Sequence, residues 1–83
     1  MRLFMDKRLQ AIDSRRVIRV LKHYGFILKR SKGSHLQYVG FVKNRPRLVT
    51  VIDRQRRFPI DTLKSMIRQS GLSEEEWLDA LDS

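Results

Sequence analysis

The sequence contains no cysteine, so it can form neither a disulfide framework nor a thiolate zinc site. It has only two histidines, too few for a histidine-rich metal centre, and we expect neither a metal nor another cofactor. No apolar run approaches the roughly 20 residues of a membrane-spanning helix. The first five residues are too short for the apolar core of a signal peptide. We therefore expect a cytoplasmic protein without a membrane segment.

Acidic residues are scarce in the first two thirds of the chain. Residues 1–57 contain sixteen Lys and Arg but three Asp and Glu, whereas residues 58–83 contain two and six. The net charge is +9. Such a basic region favours a nucleic-acid partner, because contacts to phosphates release counterions. The alternative is a basic surface that serves only solubility.

Hydrophobic periodicity predicts a helix, three strands and a second helix. Asp13 and Ser14 are suitable N-cap residues for a helix over residues 15–23. Strands are predicted over residues 26–32, 34–42 and 48–52, with a polar, proline-containing turn over residues 43–47. Asp61 is predicted to cap a helix over residues 62–70. Ser73 and Glu76 have the capping-box spacing and predict a last helix over residues 74–81.

These elements predict one α+β domain over residues 1–83, with a core over about 14–73. Residues 1–12 form an N-terminal extension, and residues 74–83 carry the C-terminal helix. In the extension, Leu3, Phe4, Leu9 and Ile12 fit one side of a short helix, but a mobile arm is an equal alternative. The three strands are predicted to form an antiparallel meander with helices on one face. If Leu36 and Tyr38 pack inward, His35, Gln37 and Lys29 lie on the open face, with Lys29 beside His35 across the hairpin.

The stretch Gly33-Ser34-His35 is the candidate site. Glycine suits a tight turn because it tolerates positive φ, and a histidine follows where the second strand begins. Histidine exchanges protons near neutral pH, although a histidine beside a turn is usually an ordinary polar strand residue. No pair of carboxylates and no glycine-rich phosphate loop offers another centre. One histidine among cations would suffice for RNA cleavage, because RNA supplies its own nucleophile, the 2′-OH.

The chain resembles the HicA family of toxins, small ribonucleases of bacterial toxin–antitoxin pairs. The matching segments are Tyr24-Gly25-Phe26, Lys32-Gly33-Ser34-His35, Val49-Thr50-Val51, Thr62-Leu63 and Gly71-Leu72-Ser73. The resemblance implies a fold like a double-stranded-RNA-binding domain, in the order α-β-β-β-α. It also implies a metal-independent endoribonuclease that cleaves mRNA and is neutralised by a HicB-type antitoxin. His35 would be the catalytic residue, on a turn formed by Gly33 and Ser34.

We therefore predict a toxin of a type II toxin–antitoxin system. The phosphate contacts are predicted at five cations, which are Lys29, Lys32, Arg54, Arg56 and Arg57. Two alternatives are a non-catalytic RNA-binding module of the same fold and a basic regulatory module that binds an acidic protein. An exposed, positioned His35 would distinguish the ribonuclease from the non-catalytic RNA-binding module, because a binding module needs only the charges.

Overall fold

The computed structural model describes residues 5–83. The elements, in chain order, are α1 (Lys7–Gln10), α2 (Ser14–His23), β1 (Ile27–Lys32), β2 (His35–Val42), β3 (Arg45–Ile52), α3 (Ile60–Ser70) and α4 (Glu74–Leu81). This order confirms the predicted α+β class and its α-β-β-β-α core. None of the helices in the described part of the chain is long and apolar enough to span a membrane.

The three strands form one antiparallel sheet in the order β1-β2-β3. The turn between β1 and β2 consists of Gly33 and Ser34, with Gly33 at a φ of 58°. The predicted start of the third strand is wrong, because β3 begins at Arg45 rather than at Leu48. Lys43 and Asn44 both have positive φ, as a two-residue type I′ hairpin requires. The tight turn lets Arg45 pair with Val42 and lengthens the strand.

The sheet has one packed face and one open face. Tyr38, Val42, Val49 and Val51 are buried, and they belong to the same apolar core as residues of α2 and α3. His35, Gln37, Val39 and Phe41 alternate with the inward residues of β2 and lie on the open face. The predicted inward side of β2 is therefore confirmed.

A β-bulge interrupts the predicted alternation of β1. The register shifts between Leu28 and Arg30, so that Leu28 lies opposite Tyr38 and Arg30 lies opposite Gln37. Lys29 is the extra residue of the bulge. Lys32, not Lys29, is the residue opposite His35. The prediction that Lys29 sits beside His35 is wrong, because the two-residue turn at Gly33 and Ser34 makes Lys32 the partner of His35.

The helix starts follow local hydrogen bonds. The carboxylate of Asp13 accepts from the Arg16 N–H and caps α2. The capping box of Ser73 and Glu76 is present in α4, as the sequence predicts. α3 begins at Ile60 with Pro59 as its N-cap residue and without a side-chain cap, so the predicted cap at Asp61 is wrong.

The N-terminal extension packs on the core. Asp6 caps α1, and Leu9 and Ile12 are fully buried. A mobile arm is therefore wrong for residues 5–12, since this segment contributes core side chains. Leu3 and Phe4 lie outside the described residues. α4 is held from within by Trp77, whose indole N–H donates to the Ser70 Oγ at 3.1 Å.

Candidate functional site

His35 is the first residue of β2 and is exposed. It lies on the central strand, opposite Lys32 of β1 and Ile52 of β3. Cross-strand partners point to the same side of a sheet, so the imidazole, Lys32 and Ile52 share the open face. The structure thus places the imidazole at one end of this face, directly after the Gly33-Ser34 turn.

The turn before His35 is tied to the end of β3. The Asp53 N–H donates to the Ser34 carbonyl at 2.7 Å. The next residue, Arg54, has a φ of 58°, and its N–H donates to the Asp53 carboxylate at 2.9 Å. Left-handed backbone is uncommon for a non-glycine residue and must be held by its surroundings. Gly33, Ser34, Asp53 and Arg54 line a shallow cleft of about 250 Å³ beside the histidine.

Ser14, the first residue of α2, holds the end of β3 and the following loop. We call the region formed by His35, the Gly33-Ser34 turn, Asp53 and Arg54 the His35 corner. The Ser14 hydroxyl donates to the Ile52 carbonyl at 2.6 Å and accepts from the Gln55 N–H at 2.7 Å. The Ser14 N–H in turn donates to the Gln55 carbonyl at 2.9 Å. Ser14 is almost completely buried. The start of α2, the end of β3 and the loop with Arg54 are therefore one hydrogen-bonded unit next to His35.

The five predicted cations do not form one cluster. Lys32 lies opposite His35, and Arg54 lines the cleft beside its turn. Lys29 lines another groove, among Ile27, Val39 and Leu48. Arg56 is exposed in the loop, and the Arg57 side chain donates to the Gln10 carbonyl near α1 at 3.3 Å. The structure therefore brings together two of the five, Lys32 and Arg54, with the predicted turn and histidine.

Arg30 is a candidate that the sequence reasoning missed. It is exposed and lies opposite Gln37, on the same face as His35. Strict alternation from Phe26 and Leu28 would have put Arg30 on the packed face, and no sequence signal marked the bulge that turns it outward. Its place beside Lys32 makes the His35 end of the sheet more basic than predicted.

Chemically, the corner offers one solvent-accessible imidazole flanked by ammonium and guanidinium groups. It can exchange a proton with a bound group and attract an anion at the same time. Among residues 5–83, no group of three or more His, Cys, Asp or Glu side chains is arranged to hold a metal ion. Burial, with a smaller contribution from the Asp53 charge, raises the pKa of Tyr38 on the packed face.

Away from His35, the open face carries several exposed apolar residues. Ile27 and Phe41 are each about two-thirds exposed, at 65% and 68%, and Leu48 is also exposed. Ile27, Val39, Pro46 and Leu48 line a groove of about 590 Å³ on this face. An apolar surface of this kind beside a charged site is typical of a protein-binding surface.

The fold and the site define a small basic α+β protein that presents one histidine among cations at the end of an open sheet face. A family model described as "HicA toxin of bacterial toxin-antitoxin" matches residues 14–72, which is more than half of the chain. The chain therefore belongs to the HicA family of toxins of bacterial toxin–antitoxin systems. The match includes α2, the sheet and α3, while α1 and α4 lie outside it. No curated protein matches the chain.

Proposed function

We propose that this toxin is an endoribonuclease that cleaves mRNA, with His35 as its general acid/base. The observation that carries the proposal is the exposed imidazole at the end of the open sheet face, with Lys32 opposite it and the Arg54 cleft beside its turn. Family membership supports the toxin role. The cytoplasm, where mRNA is found, is the compartment in which such a toxin would act.

The chemistry requires few protein groups. The imidazole of His35 removes the proton of a ribose 2′-OH, and the resulting oxygen attacks the adjacent phosphorus. The bond from phosphorus to the 5′ oxygen breaks, so a 2′,3′-cyclic phosphate forms, and the 5′ oxygen leaves with a proton taken from water or from the imidazolium that His35 has become. Cations near the phosphate stabilise the charge that develops on its oxygens. The reaction needs no metal, and DNA, which lacks the 2′-OH, is not a substrate.

Lys32 and Arg54 are the cations we assign to the scissile phosphate, because Lys32 lies opposite His35 and Arg54 lines the cleft formed with its turn. Gly33 and Ser34 position the histidine through the turn and its hydrogen bond to Asp53. We assign Lys29, Arg56 and Arg57 to phosphates farther along the RNA strand.

The partner we propose is a HicB-type antitoxin that covers the open sheet face. That face combines the His35 corner with exposed apolar residues, among them Phe41 and Leu48. A partner with an apolar centre would bury these apolar residues, and its acidic groups would pair with the cations near His35. Bound there, it would block the imidazole and compete with RNA phosphates.

The test replaces each of the two histidines in turn. We expect His35→Ala to lower RNA cleavage by about 10²–10⁴-fold, the usual contribution of a general base, and to relieve growth inhibition. His23→Ala is the matched control, because His23 is also exposed but lies at the end of α2. It should cleave RNA at the parental rate. Both variants should melt like the parent, since truncating an exposed side chain leaves no cavity.

Full cleavage by a folded His35→Ala protein would remove His35 from the catalytic role. Binding of RNA by the parent without any cleavage would favour the non-catalytic RNA-binding module. If the protein neither binds nor cleaves RNA, the basic protein-binding module is the remaining interpretation.

A further inference from the structure

The outer face of α2 carries a row of exposed cations that local helix preference does not favour. Arg15, Arg16, Arg19 and Lys22 are all exposed. The first turn of α2 contains no acidic residue, and it holds Arg15 and Arg16 where the helix dipole disfavours positive charge. Arg15 and Arg19 are also like charges four residues apart, which weakens a helix. Departures from local preference of this kind are expected where a surface serves function.

These cations have few protein partners. Arg16 makes a long ion pair with Asp13 at 3.5 Å, and Arg19 donates to the Ser83 carbonyl at 2.8 Å. Within residues 5–83, Arg15 and Lys22 make no ion pair. Asp13, Arg15, Arg16 and Arg19 line a shallow concavity of about 420 Å³. The concavity therefore presents three guanidinium groups and one carboxylate, which already serves as the helix cap.

The row begins at the His35 corner. Ser14, the first residue of α2, donates to the carbonyl of Ile52, which is the cross-strand partner of His35. Arg15 and Arg16 follow Ser14 directly. With a rise of about 1.5 Å per residue, the row continues for roughly 10 Å, from Arg15 to Lys22. A strand of RNA that leaves the open face around this end of the sheet would thus meet a second set of cations on α2.

The composition of this surface favours RNA over protein. The exposed large hydrophobic residues of the described chain are Ile27, Leu28, Phe41, Leu48 and Ile60, and none of them is on α2. Protein interfaces have an apolar centre depleted of charge, whereas nucleic-acid interfaces are polar and strongly positive. Arginine also matches phosphate with two parallel hydrogen bonds.

We propose that the outer face of α2, formed by Arg15, Arg16, Arg19 and Lys22, binds the phosphate backbone of the RNA that flanks the cleavage site. The proposal rests on the proposed ribonuclease function and extends its RNA site beyond the sheet. The α2 face supplies affinity and reach, and it takes no part in the chemical step.

The experiment measures RNA binding in the His35→Ala background, in which cleavage is expected to be too slow to interfere. A labelled single-stranded RNA is titrated by fluorescence anisotropy at several KCl concentrations. The test variant carries Arg15→Gln, Arg19→Gln and Lys22→Gln, which form one stripe of the helix. Removing three phosphate contacts from a single strand should reduce the log–log salt slope by about 2. A fourfold rise in salt should then weaken this variant about 20-fold less than its parent.

Two controls isolate the position of the charges. Lys7→Gln, Lys64→Gln and Arg68→Gln remove the same net charge from exposed sites on α1 and α3 and should leave the slope nearly unchanged. Arg15→Lys with Arg19→Lys keeps the charge and should keep the parental slope. If the triple glutamine variant fails to fold, Arg15→Gln and Lys22→Gln are measured singly, and each should reduce the slope by about 0.7.

An unchanged slope in the folded α2 variants would overturn the proposal while leaving the His35 proposal standing. Equal loss in the α2 and control triples would also overturn it, because net charge alone would then account for the effect. Loss of affinity for an acidic protein partner with RNA binding intact would assign the face to protein instead. A parent that binds no RNA at any salt concentration would refute both proposals together.

Discussion

Replacing Ser14 by alanine should loosen the corner that holds the candidate site. The Ser14 hydroxyl joins three segments, because it bonds to Ile52 at the end of β3 and to Gln55 in the following loop from the first residue of α2. Alanine keeps the helix and removes only the oxygen. The change therefore leaves the Gln55 N–H and one acceptor site of the Ile52 carbonyl without this partner.

The size of the effect follows from those two groups. An unsatisfied buried donor or acceptor costs about 1–3 kcal/mol. The Gln55 N–H has the larger share, because a carbonyl oxygen has a second lone pair. Alanine returns about 0.5 kcal/mol through its higher helix propensity. We expect a net loss of about 2 kcal/mol in the free energy of unfolding, or roughly 8–16 °C in melting temperature for a domain of this size.

Denaturation with urea and thermal melting followed by circular dichroism measure this loss. Ser65→Ala is the matched control, since it makes the same chemical change within α3, where the hydroxyl accepts from the Arg68 side chain at 3.2 Å. It should lie within about 0.5 kcal/mol of the parent. RNA cleavage by folded Ser14→Ala should also fall, because the loop with Arg54 loses its anchor. A Ser14→Ala protein as stable as Ser65→Ala would refute this account of the corner.

Two further expectations concern single side chains. Arg54→Gln should raise the KM for RNA more than Arg57→Gln, because Arg54 lines the cleft beside the turn while Arg57 bonds to the Gln10 carbonyl; equal effects would remove the cleft from the RNA site. The hydrogen bond from the Lys43 ammonium is the main cause that lowers the pKa of Glu76 below its ordinary 4.5, and the Ser73 N–H adds to it. The ionised Glu76 side chain therefore contributes stability above pH 4.5, and this contribution is lost as the pH falls through the lowered pKa of the folded state. Glu76→Gln should therefore be less stable than the parent at neutral pH but not in acid, and urea midpoints whose difference does not change with pH would contradict this.

The sequence predicts those parts of the fold that local chemistry determines. Ser73 and Glu76 identify the start of α4 because both partners of the capping box lie within one turn. The inward side of β2 follows from the period of two that places Tyr38 in the core. The tight turn at Lys43 and Asn44 was not predicted, because the nearby Pro46 favours a longer loop. Pro46 instead lies in β3, an edge strand, where proline is tolerated.

The site was only partly predictable for the same reason. His35 and its turn form a continuous segment, so their order along the chain is enough to place them together. The cations around them come from other segments, and their positions depend on register and loop geometry. The bulge at Lys29 brings Arg30 to the face that carries His35, and the buried hydroxyl of Ser14 anchors the loop that carries Arg54. Neither a bulge nor a bond between residues about 40 positions apart leaves a local pattern.

The edge strand β1 has a consequence for how the site moves. Among residues 5–83, β1 makes its substantial contacts with β2 alone and no helix packs extensively on it, while β2 is also paired along its whole length with β3. Breaking one ladder releases β1, so its amides should exchange with solvent at a lower free energy than those of the β2–β3 hairpin. Such an opening carries Arg30 and Lys32 away from the sheet but leaves His35 paired with Ile52. His35, the proposed proton-transfer group, thus lies on the stable part of the sheet, and two of its neighbouring charges lie on the part that opens first.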